Sequence, residues 1–261
     1  MQEWDNPMYQ FRDTIKSSDY DSWIPTSAMI YGGTMIEKII PGYQTLFVEG
    51  REMLSLDLES EKKNVGVHIS AQRLPERSLT VHYKLIEQNS VEFQRSFKKL
   101  MRILYKQEDV EIHFNDELDT FYYGRYSVAE KVPGNTDSVV SSFTITCADP
   151  RKYSKTFETT GEISEYLPYD SVPDSISFTA TKDSSVKVTN GMQTISISNA
   201  ALKKGDRVEM LIREGKILIN GENKTRILDL TSPFKSFTVK TGDVVKSDNG
   251  TPLIRYRGVW L

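Results

Sequence analysis

Apolar and polar positions alternate along most of this chain with a period of two, the mark of strands that bury one face. The clearest run is 78–86, where Leu79, Val81, Tyr83 and Leu85 alternate with Thr80, His82 and Lys84. The pattern predicts further strands over 43–48, 65–69, 110–114, 120–128 and 139–147. They read as half-buried antiparallel strands. One segment changes period. Between 90 and 106, Phe93, Phe97, Leu100, Met101 and Leu104 recur at helical spacing, with Asn89 placed as N-cap and Glu92 at the third helical position. An amphipathic helix over 90–106 with a capping-box-like start is therefore expected. Its other face carries Arg95, Lys98, Arg102 and Lys106, which read as the solvated side.

Asp149-Pro150 interrupts this series. Proline has no amide donor and pushes its predecessor into an extended conformation, so strand pairing is expected to stop there and a linker to occupy 151–160. Beyond it, short runs rich in Ser, Thr, Val and Ile predict seven strands, at 175–180, 186–189, 194–198, 208–212, 217–219, 236–239 and 254–259. Seven short strands separated by turns indicate a β-sandwich. Glu214-Gly215 and Asp248-Asn249-Gly250 are hairpin-turn candidates within it. Residues 1–42, where Gly32-Gly33 and Pro41-Gly42 separate short apolar runs, read as an N-terminal arm or edge strands of the first domain. The expected organisation is arm 1–42, a β domain 43–150, linker 151–160 and a sandwich 161–261, a mainly β, α+β protein.

Length and composition support two packed units: 261 residues with 38% hydrophobic content exceed the common single-domain size. The net charge of −3 divides unevenly. Residues 1–150 hold 16 Lys/Arg against 23 Asp/Glu, giving −7, and 151–261 hold 17 against 13, giving +4. An acidic first half argues against tight nucleic-acid binding there. No run approaches the roughly 20 apolar residues of a membrane-spanning helix, and the first residues lack a signal-peptide pattern, so a soluble protein made in the cytoplasm is expected.

Candidate chemistry is sparse. The single cysteine, Cys147, has no partner for a disulfide or a cysteine zinc site and reads as a small buried hydrophobe. His68, His82 and His113 fall on three different predicted strands, none at a local metal-binding spacing. Carboxylates cluster at Glu108, Asp109 and Glu111 and at Asp116, Glu117 and Asp119. A glycosidase needs only two such groups in a cleft, but clusters flanking a strand more often serve turns and solvated edges. Signatures of nucleotide binding or of an activated nucleophile are missing. The reading is of a protein with no catalytic, metal or cofactor site. Tyr122, Tyr123, Tyr126, Tyr166, Tyr169, Tyr256 and Trp260 could stack on sugars, but aromatics on strands are mostly core or subunit interface. Gly50, Arg51 and Glu52 are candidate interface residues: a Gly-Arg pair at a strand end permits close backbone approach and a charge-assisted contact to a neighbour, and a plain β-turn is the alternative.

Several landmarks together resemble the distal tail proteins of siphophages. They are Phe47-Val48-Glu49-Gly50-Arg51-Glu52, the strand entry Leu74-Pro75-x-Arg77-x-Leu79-x-Val81, the helix at 90–106, and Phe143-x-Ile145-x-Cys147-x-Asp149-Pro150-x-Lys152-Tyr153. Near the end come Asn220-Gly221-x-Asn223-Lys224, Leu228-Asp229-Leu230, Phe234, Thr241-Gly242 and Ile254-Arg255-Tyr256-Arg257-x-Val259-Trp260-Leu261. The resemblance implies an N-terminal β-sandwich or split-barrel domain with one amphipathic helix and a galectin-like C-terminal sandwich. It implies a structural, non-enzymatic subunit at the virion tail tip, a homo-hexameric ring joining the tail-tube protein to tail-associated lysin or fibre and baseplate or receptor-binding proteins. DNA would cross its central channel without specific binding, and no membrane would be involved. The competing class is a carbohydrate-binding sandwich that contacts the host cell wall. A wall hydrolase using the acidic clusters is a third.

Overall fold

The computed structural model describes residues 24–197 and 202–261. The expected arm therefore lies outside the described residues over 1–23. Its remainder contributes strands β1 (Met29–Tyr31) and β2 (Thr34–Met35) and the short helix α1 (Ile36–Ile39). These are more than an arm: Met29, Tyr31 and Ile36 are fully buried, because they close one end of the first core.

That core is built on β3 (Tyr43–Glu49), β6 (Arg77–Ile86), β7 (Val110–Phe114), β8 (Glu117–Ala129) and β9 (Ser138–Cys147). β6 buries the alternating residues expected of it and pairs with β9 over its whole length. β3 pairs on its other edge, with a bulge between Thr45 and Phe47 that turns Phe47 outward onto the ring of His82, 4.2 Å away. β8 is long enough to serve two partners. Its first half pairs with β7 and its second with β9, and the strand passes between them at Gly124, where a Cβ would sit 2.7 Å from both the Cys147 sulfur and the Thr146 carbonyl. Only glycine permits that crossing.

Helix α2 (Ser90–Leu104) covers the inner face with Phe93, Leu100 and Leu104. The Asn89 side chain accepts from the amides of Val91 and Glu92, both at 3.0 Å, as an N-cap does. Glu92 does not complete a capping box; its carboxylate takes Arg95 at 2.6 Å instead. The Tyr31 hydroxyl, donating to the Leu104 carbonyl and accepting from the Tyr126 amide at 3.1 Å each, joins β1, β8 and the helix end.

The second core lies between two sheets. The larger holds β10 (Lys152–Thr159), β18 (Leu253–Trp260), β11 (Ser175–Thr179), β14 (Arg207–Leu211), β15 (Lys216–Ile219) and β16 (Glu222–Asn223); the smaller holds β12 (Val186–Thr189), β13 (Thr194–Ile197) and β17 (Lys246–Ser247). Ile176, Met210 and Ile254 from one meet Val188, Ile195 and Ile197 from the other. The mainly β, α+β fold class expected from the pattern is thus what the chain adopts.

Four local expectations fail for identifiable reasons. Residues 151–160 are strand β10 rather than a linker, because Pro150 withholds one donor only and the chain re-enters an extended path at Lys152. Residues 236–239 form no strand: side chains satisfy that backbone, with Gln193 donating to the Ser236 carbonyl and accepting from the Thr238 amide at 2.9 Å, and Asn190 donating to the Thr238 carbonyl at 2.8 Å. Only Val239 makes a bridge, to Ser171. The run 65–69 is not half-buried. It belongs to β5 (Val67–Arg73), which pairs with β4 (Asp57–Lys62) in an exposed hairpin. Nor is Asp248-Asn249-Gly250 a hairpin turn, since β17 pairs with β12 while β18 pairs with β10 and β11. Asn249 instead sits fully buried where the chain changes sheets, accepting from the amides of Thr181 and Lys182 at 2.9 and 3.2 Å and donating to the Lys182 carbonyl at 3.1 Å.

Removing Asn249 breaks three backbone hydrogen bonds and leaves a void where a fully buried side chain stood, whereas removing the exposed Asn89 cap leaves groups that water can reach. Asn249→Ala should therefore cost about 3 kcal/mol and Asn89→Ala about 1 kcal/mol. Urea denaturation of both variants checks the order.

Candidate assembly interface

The turn Gly50-Arg51-Glu52 follows β3 and is pinned from beneath by a buried cation. Arg77, 2% exposed, donates to the carbonyls of Gly50 at 2.7 Å, Glu52 at 3.2 Å and Pro150 at 2.8 Å. Gly50 has φ +87° and comes so close to β6 that a Cβ would lie 1.9 Å from the Ser78 carbonyl oxygen. Any other residue would be forced out. Arg51 makes its charge-assisted contact within the chain: a bidentate pair with Asp116 at 2.7 and 2.9 Å, its guanidinium 4.7 Å above the Phe114 ring. Those hydrogen bonds hold the Asp116 carboxyl below its usual range. Glu52 is exposed and accepts from the Gly50 amide at 3.0 Å. The three residues thus form a rigid turn from which the chain leaves the body toward the β4–β5 hairpin.

That hairpin is the most exposed part of the described structure. Every residue of β4 and all of β5 but the half-buried Ala71 face solvent. So do the apolar side chains of Met53, Leu56, Leu58, Val65, Val67 and Ile69. A two-stranded hairpin that packs on nothing is marginal in water, and its exposed apolar groups make this arm a candidate contact surface.

A second feature lies where the two cores meet, and no local spacing in the sequence signals it. The Tyr153 ring, on β10, is buried among three guanidinium groups, those of Arg213 (4.7 Å), Arg257 (4.9 Å) and Arg151 (5.8 Å), with the Tyr123 ring edge-on at 5.6 Å. Asp174 accepts from Arg213 and Arg257, each at 2.9 Å. Arg257 also donates to the Tyr123 hydroxyl, which itself donates to Glu111 at 2.8 Å. Asp149 takes two bonds of 2.7 Å from Arg151 and one from the Tyr153 hydroxyl. Burial raises the Asp149 carboxyl, but the Arg151 and Tyr153 hydrogen bonds outweigh it and hold the group below its ordinary value. Residues 123, 153, 174, 213 and 257 are far apart in sequence, and only folding assembles them.

The other candidate groups are dispersed. His68 is exposed on β5, His82 stacks with Phe47, and His113 packs against Phe121. Among the described residues, each clustered carboxylate but Glu108 has a hydrogen-bond or ion-pair partner: Asp109 with Arg125, Glu111 with Tyr123, Asp116 with Arg51, Glu117 with Tyr122, Asp119 with Lys155. Among the described residues no group of three or more His, Cys, Asp or Glu is placed to hold a metal ion. Burial pushes the Cys147 thiol up to about 12, so it is inert at neutral pH. Of the aromatics, Tyr122 and Tyr256 are core, while Tyr166 and Tyr169 are exposed.

Residues 170–260 match the family described as siphovirus-type tail component, C-terminal domain. Over those residues the chain is similar to a siphovirus-type tail component domain. The chain as a whole shares its fold with the SPP1 Dit (gp 19.1) protein, described as a paradigm of the hub adsorption apparatus in phages infecting Gram-positive hosts. The superposition has a TM-score of 0.75 at 19% identity, covering 91% of this chain and 100% of that one. Two structures of the phage P2 baseplate in its activated conformation, with Ca and with Sr, match at TM-score 0.53 and 6% and 7% identity, each covering 83% of this chain and 90% of that one. No curated protein sequence matches. The resemblance to distal tail proteins drawn from the sequence is borne out.

The sign of the Asp149 shift sets a pH dependence for this protein. A carboxyl with a depressed folded pKa contributes stability that is complete above the unfolded value of about 3.9 and is lost as pH falls through the folded value. Asp149→Asn should thus lower the melting temperature at pH 7, and the gap from wild type should close as the pH falls below about 4. Thermal melts from pH 3 to 7 test it.

Proposed function

We propose that this chain is a structural subunit of the phage tail tip: a homo-hexameric hub joining the tail-tube protein to tail-associated lysin or fibre and baseplate or receptor-binding proteins, with DNA crossing its channel unbound. The observation that carries this reading is the whole-chain fold shared with a protein described as an adsorption hub. It implies a non-enzymatic role and a location in the virion tail. Ring contacts are assigned to the β domain of residues 43–150, and attachment of baseplate proteins to the C-terminal sandwich. The turn Gly50-Arg51-Glu52 serves the interface by fixing where the β4–β5 hairpin departs, and the exposed apolar groups of that hairpin need a neighbour to cover them. The acidic balance of residues 1–150 suits a channel that repels DNA phosphates.

Light scattering on a sizing column, with negative-stain images of the same peak, tests the ring. Six-fold particles with a central hole are expected. Monomers that bind glycans, with binding lost in Tyr166→Ala, would favour a carbohydrate-binding module instead. Because Val67 and Ile69 are exposed in the single chain, replacing both with Asp should change its stability by no more than about 0.5 kcal/mol per site while abolishing assembly. Denaturation and light scattering on the same sample separate the two effects.

A further inference from the structure

The β4–β5 hairpin and helix α2 carry complementary rows of charge that nothing within the chain brings together. Cross-strand pairing sets Asp57, Glu59 and Glu61 on one hairpin face beside Arg73, Ala71 and His68, with Leu58, Val67 and Ile69 on the other. Glu59 is paired with Arg73; Asp57 and Glu61 have no ion-pair partner among the described residues. On the helix, Arg95, Lys98 and Arg102 follow one another at three- and four-residue spacing along one exposed stripe, with Lys106 beyond the last turn. Arg95 is paired with Glu92; Lys98, Arg102 and Lys106 have no ion-pair partner among the described residues.

The two rows are comparable in length and alike in their flanks. From Asp57 to Glu61 an extended strand spans about 14 Å, and from Arg95 to Arg102 the helix rises about 10 Å, with Lys106 continuing the row past the helix end. Exposed apolar groups bracket both, Leu56 and Val65 on the hairpin, Val91 and Tyr105 on the helix. A charged stripe alone reads as a solvated face, but here an acidic row with two carboxylates, Asp57 and Glu61, free of ion pairs among the described residues and with exposed apolar flanks stands on the same chain. The hairpin does not fold back on its own helix, since it is exposed along its length.

We propose that the acidic face of one copy's hairpin docks on the basic stripe of helix α2 of a second copy. The contact rests on the ring reading above and deepens it, naming the surface that receives the arm. It is heterologous: each copy offers one hairpin and one stripe, so the contact repeats from copy to copy and closes when the rotation between copies allows.

Two charge-reversed chains test it, Lys98→Glu/Arg102→Glu on the helix and Asp57→Lys/Glu61→Lys on the hairpin. Within either variant like charges meet, and self-association should weaken about 10- to 100-fold. Mixed in equal amounts, each variant's altered row faces its counterpart's altered row and each native row a native one, so alternating rings should reappear. Wild-type assembly should also weaken with added salt, because charges beyond about 10 Å are screened at 0.1 M. Rings formed by both variants as readily as by wild type would overturn the docking and leave the hub reading standing. So would a mixture that stays dissociated although each variant melts like wild type. A wild-type chain that remains monomeric at low salt and at every concentration reached would overturn both.

Discussion

The arrangement of this molecule depends on one cation taken out of water. The Arg77 guanidinium is buried beneath the end of the first core, and burying it is tolerable only because fixed carbonyl oxygens surround it. Those oxygens belong to Gly50, Glu52 and Pro150. The first two set the turn from which the hairpin departs, and the third holds the corner from which β10 begins. One side chain thereby aims both the exposed arm and the entry to the second core. Charge is handled in the same way at the junction, where Tyr153 supplies a ring face to three guanidinium groups and Asp149 and Asp174 supply the anions.

The periodic elements were legible in the sequence because their cause is local. β6, β7, β9 and α2 alternate or recur with the period of their own geometry, and the structure places them within a residue or two of the expected ends. What was hidden has causes elsewhere in the chain. The backbone at 236–238 is satisfied by Asn190 and Gln193, and no reading of residues 236–239 alone can include partners more than forty positions away. The linker expected after Pro150 became a strand because β18, a hundred residues later, offers an edge to pair with.

At Gly50-Arg51-Glu52 the sequence shows the local chemistry but not its partner, which lies within the chain. Gly50 was singled out for close backbone approach, and it does approach closely, against Ser78 of its own chain. Arg51 was singled out for a charged contact and makes one with Asp116. The hairpin that most needs a partner was only half visible, as the run 65–69, because an exposed strand alternates its residues as a half-buried one does. The junction around Tyr153 gave no signal, since its members come from five separate segments.

The way β10 joins the cores has a mechanical meaning. It pairs with β8 at Tyr153 and with β18 from Lys152 to Thr159, so a single ladder of hydrogen bonds runs from β16 in the second sheet to β2 in the first. A flexible tether lets two bodies swivel freely. A shared strand lets them turn only by shearing or breaking backbone bonds, and those bonds lie in series with the arginine and tyrosine packing beside them. A push or twist delivered to one core therefore reaches the other through the Tyr153–Phe121 pairing and the side-chain packing around it.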